Sequence, residues 1–146
     1  MGRMIVLAHF AGEIYVEPRS LRRGPTGRDP HHRQPSSQRC LDRGSRTLLA
    51  VQAANRFGVS VLHSGQEEIA RSFATKAPVA DKWQGVEWAD RDGIPAIADP
   101  LVWVACELRD VIAGGDHVIV TGEVRGLEAG EGDPLVFHGG EYRPLG

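Results

Sequence analysis

A chain of 146 residues has the length of a single domain, and a domain of this size buries roughly 70% of its unfolded surface. The chain is 41% hydrophobic and 25% charged with a net charge of −2, which excludes an overall electrostatic bias toward nucleic acid or membrane. The sequence has no apolar run near the roughly 20 residues of a membrane span. Its two cysteines, Cys40 and Cys106, exclude a disulfide framework or a four-cysteine metal site. We therefore expect a cytoplasmic protein with no metal site and no membrane association.

Residues 1–43 differ in composition from the rest of the chain. Two short apolar runs, at residues 4–8 and 13–16, predict strands that either pair as a hairpin or stay isolated. In residues 18–43 the only large aliphatic side chains are Leu21 and Leu41, so burial cannot offset the entropy cost of ordering this segment. We expect residues 1–43 to be a largely irregular N-terminal segment and residues 44–146 to form the folded domain.

Positive charge is concentrated in this segment, because eight arginines and only two acids lie between Pro18 and Arg46. Such an arm could bind the phosphates of a nucleic acid. It contains no aromatic residue for base stacking and no periodic basic face, which favours a linker and makes a nucleic-acid partner the weaker hypothesis. The pair His31-His32 has no third ligand at metal spacing.

A helix is predicted at residues 46–55, because Ser45 is a good capping residue and apolar positions recur at helical spacing. Gly44 and Ser45 would present free amide groups at its start, with Arg46 beside them and the Thr47 hydroxyl within reach. Such a helix start can hold a phosphate. It is also the common surface arrangement of a serine cap beside a solvated arginine, and the local sequence leaves both interpretations open.

The next predicted elements are a strand and a second helix. Residues 57–62 alternate as a strand, and the sequence from Ser64 to Glu67 is typical of a capping box that opens a helix reaching Ala74. Residues 75–98 are rich in loops and contain Lys82, Trp83 and Trp88. The two tryptophans could cover a ligand, although such a pair more often closes a satellite core.

A β-hairpin is predicted in the last third of the chain. Residues 101–112 and 117–126 are strand-like, and Ala113-Gly114-Gly115-Asp116 connects them, so His117 would lie at the mouth of the hairpin. A turn that orients a titratable side chain is a candidate site. The alternative is that Gly115 and Asp116 serve the turn alone and that His117 is a half-exposed strand residue. With a last short strand at residues 134–138, the pattern predicts a mainly β domain with short helices.

Taken in order, several stretches resemble the flavin reductase-like family, whose fold is the FMN-binding split barrel and which includes the reductase components of two-component flavin monooxygenases. The resemblance runs from about Leu41 to the end of the chain. The stretches that carry it are Ser45-Arg46-Thr47, Asn55-Arg56-Phe57-Gly58-Val59-Ser60-Val61-Leu62, Arg71-Ser72-Phe73-Ala74, Asp81-Lys82-Trp83, Gly115-Asp116-His117, Gly122-Glu123-Val124, and Pro134-Leu135-Val136-Phe137-His138 followed by Gly140 and Tyr142.

The resemblance implies a mainly β split barrel, incomplete at its N-terminus, and a homodimer. It implies an enzyme that transfers hydride from NADH or NADPH to FMN, FAD or riboflavin and supplies the reduced flavin to a monooxygenase. It also implies roles for individual residues. Gly115-Asp116-His117 matches the nicotinamide motif, with His117 nearest the chemistry; Ser45, Arg46 and Thr47 match the flavin-phosphate contact; Lys82 and Tyr142 are further cofactor-binding candidates. The family has no catalytic metal.

One family feature has no counterpart here. Family members have strands leading into a Thr-Ala-Asn-Ser-Phe-like turn that holds the flavin ring and its ribityl chain, and no such motif precedes Ser45 in this sequence. The sequence therefore leaves a second functional hypothesis open. The chain would then be a non-catalytic flavin-binding or dimerisation module that has lost this wall of the site.

Overall fold

The computed structural model describes residues 6–8 and 36–145, and of their side chains those from Cys40 onward. The strand predicted at residues 13–16, the pair His31-His32 and most of the basic segment lie outside the described residues. The elements in chain order are β1 Val6–Ala8, β2 Ser36–Asp42, α1 Arg46–Ala54, β3 Arg56–Val61, a 3-10 helix Ser64–Gln66, α2 Glu67–Ala74, α3 Val79–Lys82, β4 Trp88–Arg91, β5 Ile94–Ile97, β6 Val102–Gly114, β7 His117–Ala129, β8 Val136–His138 and β9 Glu141–Arg143.

The main sheet has the strand order β1-β3-β6-β7-β2. Strand β1 runs parallel to β3, and the other neighbours in this sheet are antiparallel. The predicted hairpin is confirmed as the pair β6–β7, whose two strands have 13 residues each. Two small antiparallel pairs form separate sheets: β4–β5 lies between β3 and β6 in the sequence, and β8–β9 follows β7. The prediction of a mainly β domain with short helices is confirmed.

The main core lies between α1 and the sheet. Leu48 and Val51 of α1 pack against fully buried side chains of β3, β6 and β7, among them Phe57, Val104 and Val120. A Cβ atom added to Gly122 of β7 would lie 2.7 Å from ring atoms of Phe57. The strand therefore passes so close to the Phe57 ring that only glycine fits at this position.

A satellite core forms around α2. Its buried members are Leu62, Ala70 and Ile97, and the half-buried side chains packed against them include Phe73, Trp83 and Tyr142. The rings of Trp83 and Phe73 meet edge to face with centroids 4.9 Å apart. Trp83 thus closes a satellite core, the commoner of the two interpretations of the tryptophan pair.

Strand β2 lies in the segment predicted to be irregular. Ser36–Asp42 pairs antiparallel with β7, from Ser36 opposite Glu123 to Asp42 opposite His117. This pairing uses backbone groups, so it satisfies the outer edge of β7 even though the β2 sequence is poor in apolar residues. The prediction of an irregular segment, made from composition, was therefore wrong for residues 36–42. The division of the chain at residue 43 stays a prediction.

The second helix begins differently from its prediction. A short 3-10 helix precedes α2, and its cap is His63 rather than Ser64. The Gly65 amide donates to Nδ1 of His63 at 3.0 Å, and the His63 amide donates to Oε1 of Gln66 at 3.2 Å. Gln66 is buried and also donates to the carbonyls of Ala98 and Asp99, so the packing of Gln66 decides which residues form the cap.

Candidate functional site

The loop between β2 and α1 carries the first group of predicted site residues. Ser45 has an extended backbone with φ −68° and ψ 130°, and it caps α1 as predicted. Its Oγ accepts from the amides of Thr47 at 3.1 Å and Leu48 at 3.3 Å. The Ser45 hydroxyl oxygen is therefore engaged by the helix it starts.

The amides expected to be free at this helix start are bonded within the loop. The Gly44 amide donates to Oδ1 of Asp42 at 2.8 Å, and the Ser45 amide donates to the Asp42 carbonyl at 3.0 Å. The prediction of free Gly44 and Ser45 amides was therefore wrong, because Asp42 forms a side-chain turn with the residues that follow it. Within residues 6–8 and 36–145, the Arg46 amide has no hydrogen-bond acceptor, and it lies at the positive end of α1 where an anion could bind.

Two cationic side chains from separate elements lie beside this helix start. Arg46 donates to the carbonyl of Ala77 at 3.1 Å, and Nζ of Lys82 donates to the carbonyl of Phe73 at 3.1 Å. Burial lowers the pKa of Lys82, and the positive charge of Arg46 lowers it further. The charge of Arg46 thus acts on Lys82, and an anion bound near both side chains would relieve this repulsion. We call Arg46 and Lys82 the cation pair.

The turn between β6 and β7 carries the second group of predicted residues. Gly115 has φ +73°, the left-handed conformation that a two-residue hairpin with glycine in its first position requires. In the next position, Oδ1 of Asp116 lies 2.8 Å from Nδ1 of His117. This hydrogen bond and the Asp116 charge raise the pKa of His117, and the same hydrogen bond lowers the pKa of Asp116. The imidazole is half-exposed, so it can meet a ligand from solvent.

The structure brings these two groups together. Asp42 lies opposite His117 where β2 pairs with β7, and the Arg43 amide donates to the Asp116 carbonyl at 3.4 Å. The loop that starts α1 therefore runs along the hairpin turn, although the two are separated by about 70 residues of sequence. We call the place where this loop meets the hairpin turn the junction. The sequence predicted site residues in the loop and in the turn, but it did not predict Asp42, which contacts the loop and lies opposite His117. Its only local signal is its position three residues before a helix cap.

Tyr142 lies in the satellite core. Its ring contacts Phe137 with centroids 4.9 Å apart, and the Arg71 guanidinium lies 5.0 Å from its centroid. Burial raises the pKa of its hydroxyl. Phe73 belongs to the satellite core, and its carbonyl accepts a hydrogen bond from Lys82 of the cation pair. A direct contact between Tyr142 and a cofactor stays a prediction.

A shallow groove of about 460 Å³ opens at the opposite end of α1. The residues that line it include Asn55, Arg56, Trp103 and Arg125, and none of the predicted site residues is among its lining. Within residues 6–8 and 36–145, no three His, Cys, Asp or Glu side chains lie where they could hold a metal ion together. The helices of the described part are all too short to cross a membrane.

Comparison with known proteins places this geometry in context. Residues 35–146 match the model of the flavin reductase like domain. A probable flavin reductase of Rhizobium meliloti (strain 1021) is 36% identical over 104 residues, which cover 70% of this chain and 33% of that protein. The reductase subunit HsaB of a flavin-dependent monooxygenase of Mycobacterium tuberculosis is 36% identical over 107 residues, covering 70% of this chain and 56% of that protein.

Solved structures show the same similarity. Nitrilotriacetate monooxygenase component B from Mycobacterium thermoresistibile superimposes with a TM-score of 0.72 at 34% identity, covering 77% of this chain and 64% of that one. The NADH:FAD oxidoreductase SgcE6 of Streptomyces globisporus, in complex with NAD and FAD fragments, gives a TM-score of 0.73 at 30% identity, with 77% and 69% covered.

The chain spans a third and somewhat more than half of the length of these two curated relatives. The fold of its described part is the split barrel of the flavin reductases, as the sequence predicted. The match over residues 35–146 establishes that this chain belongs to the flavin reductase like domain family.

Proposed function

We propose that this chain is an NAD(P)H-dependent flavin reductase that transfers hydride from NADH or NADPH to FMN, FAD or riboflavin. The observation that carries the proposal is the junction between the α1 start, with its cation pair, and the hairpin turn that holds His117. Two nucleotide cofactors must meet for hydride transfer, and the junction offers two adjacent sites for anionic groups. The names of the relatives, among them an NADH-dependent FAD reductase, support the same activity.

The flavin side of the proposed site is the α1 start. The side chains of Arg46 and Lys82 and the Arg46 amide are donors that suit a flavin phosphate, and the neighbouring Thr47 hydroxyl is a further candidate donor. Ser45 contributes by capping the helix, since its hydroxyl oxygen already accepts two amides. The residues present therefore fit the phosphate end of a flavin nucleotide.

The nicotinamide side is the turn at Gly115, Asp116 and His117. A protonated His117, held by Asp116, can donate a hydrogen bond to the pyridine nucleotide and balance part of its negative charge. When bound, the two cofactors supply the hydride chemistry themselves. The chain has to bind them, hold the two rings in contact and limit access of water, and it needs no nucleophile of its own.

We extend the proposal to the partners of the chain. Relatives are named as reductase subunits of monooxygenase systems, so reduced flavin made here would serve a flavin-dependent monooxygenase in the cytoplasm. A homodimer is also proposed. Ile112 on the β6–β7 hairpin is 49% exposed and lies opposite the half-buried Ile119, which provides an apolar surface for a second copy of the chain.

The activity is tested by following the oxidation of NADH and of NADPH by the purified chain, with and without FMN or FAD. Faster oxidation in the presence of flavin supports the proposal, and an unchanged rate contradicts it. Flavin binding without nicotinamide oxidation would favour the non-catalytic module. That second function rests on the missing counterpart of the Thr-Ala-Asn-Ser-Phe-like turn before Ser45.

A further inference from the structure

Asp42 is the residue shared by the two halves of the proposed site. Its carboxylate accepts from the Gly44 amide at 2.8 Å, and its carbonyl accepts from the Ser45 amide at 3.0 Å, so it fixes the loop that starts α1. At the same time Asp42 lies directly opposite His117 in the β2–β7 ladder. Side chains of directly opposed residues share one face of a sheet, with Cβ atoms about 4.5–5.5 Å apart. One carboxylate therefore faces both the loop and the imidazole.

Two acids of the described residues act on His117. Asp116 lies beside it in the turn, Asp42 lies across from it on β2, and the facing end of β6 contributes Gly114, which has no side chain. The hydrogen bond to Asp116 and its charge are the main causes of the raised pKa of His117, burial opposes them, and the charge of Asp42 adds a smaller contribution in the raising direction. Asp42 thus acts on the imidazole through space while its hydrogen bond to Gly44 keeps the carboxylate in place.

We propose that Asp42 is a positioning residue that couples the flavin-phosphate loop to His117. Its hydrogen bond to Gly44 anchors the loop, and its negative charge stabilises the protonated imidazole. The consequence for catalysis rests on the proposed function. The coupling itself does not, because it concerns only groups of this chain. It also explains why an acid occupies a position beside a site for anionic ligands.

The isosteric substitution Asp42→Asn separates the two parts of this role. Asparagine keeps an oxygen that accepts from the Gly44 amide but carries no charge. Asp42→Ala removes both the acceptor and the charge. Glu131→Gln, at an exposed position after β7, is the matched control for the loss of one negative charge elsewhere.

The experiment records the NMR titration of the His117 imidazole and the amide resonance of Gly44 in the full chain without cofactors. We expect Asp42→Asn to lower the His117 titration midpoint and to leave the Gly44 amide shift near its original value. Asp42→Ala should change both signals, and Glu131→Gln neither. An unchanged His117 midpoint in Asp42→Asn would overturn the proposal, because a purely structural Asp42 predicts that outcome.

A kinetic measurement then connects the coupling to the proposed reaction. In Asp42→Asn, the rise of the nicotinamide KM with pH should begin at lower pH than in the original chain. If the original chain and all variants fail to reduce flavin, the proposed function is wrong. The NMR titration then still tests whether Asp42 couples the loop to His117. If the chain is active and the pH profile of KM is identical in Asp42→Asn, the inferred role in catalysis is wrong.

Discussion

Oδ1 of Asp116 lies 2.8 Å from Nδ1 of His117, so two consecutive residues form a side-chain hydrogen bond at the tip of the longest hairpin in the described part. Both groups are exposed to solvent. The pair therefore orients the imidazole and favours its charged form, and it adds little to the stability of the fold. This geometry suits a group that meets a ligand.

Replacing the histidine tests its role directly. We expect His117→Ala to raise the nicotinamide KM about tenfold or more, the effect of losing one charge-assisted hydrogen bond, and to leave the flavin Kd within about twofold. Steady-state kinetics and a flavin fluorescence titration measure the two effects. His138→Ala, at an exposed histidine on β8, serves as the control. An unchanged nicotinamide KM would reduce His117 to a strand residue without a binding role.

The hydrogen bond between Asp116 and His117 also predicts a pH dependence. The raised pKa of His117 keeps the imidazole charged to higher pH, so the nicotinamide KM should be lowest below that pKa and increase as pH rises through it. In Asp116→Asn the pKa of His117 falls toward its usual value, and the increase in KM should begin at lower pH. The KM measured between about pH 6 and 9 checks this. Identical pH profiles for both proteins would contradict a role for the imidazole charge.

The cation pair predicts a difference between flavins. Arg46→Ala should weaken FMN binding about tenfold, because a charged donor to the phosphate is lost. Riboflavin has no phosphate, so its affinity should change little in the same variant. Lys82→Ala should show the same preference, and Arg143→Ala, an exposed arginine on β9, should affect neither flavin. Equal losses for FMN and riboflavin would place the cation pair away from the phosphate.

The close contact at Gly122 predicts a stability effect. Gly122→Ala would place a methyl group 2.7 Å from the Phe57 ring and 2.8 Å from Cβ of Cys106, and we expect a loss of about 1–3 kcal/mol in the free energy of unfolding. Gly126→Ala on the same strand has its nearest contacts at 3.7 Å and should be far milder. Urea denaturation compares the two variants. Equal effects would show that strand propensity rather than packing decides the outcome.

The proposed homodimer is tested at Ile112. A charge in the apolar surface should weaken association, so Ile112→Asp should shift sedimentation velocity profiles toward the monomer. Leu145→Asp changes an even more exposed aliphatic residue, 61% exposed near the C-terminus, and serves as the control. A dimer that persists in Ile112→Asp and dissociates in Leu145→Asp would place the interface elsewhere.

The sequence by itself determined the local features of the site. The hairpin with His117 at its mouth follows from two strand-like runs and a glycine-aspartate turn, and the cap at Ser45 follows from a serine before a helical pattern. Each of these signals involves residues within a few positions of one another. The order of the family motifs added the split-barrel fold and the expected roles of the two groups.

Only the tertiary structure decided how these parts combine. The pairing of β2 with β7 joins residues 75 to 87 positions apart in the sequence and rests on backbone hydrogen bonds, which leave no pattern in the side chains. That pairing places Asp42 opposite His117, and the packing of α2 and α3 brings Lys82 within reach of Arg46. The error at the Gly44 and Ser45 amides has a local cause instead, because both amides donate to Asp42, which precedes them by only two and three residues.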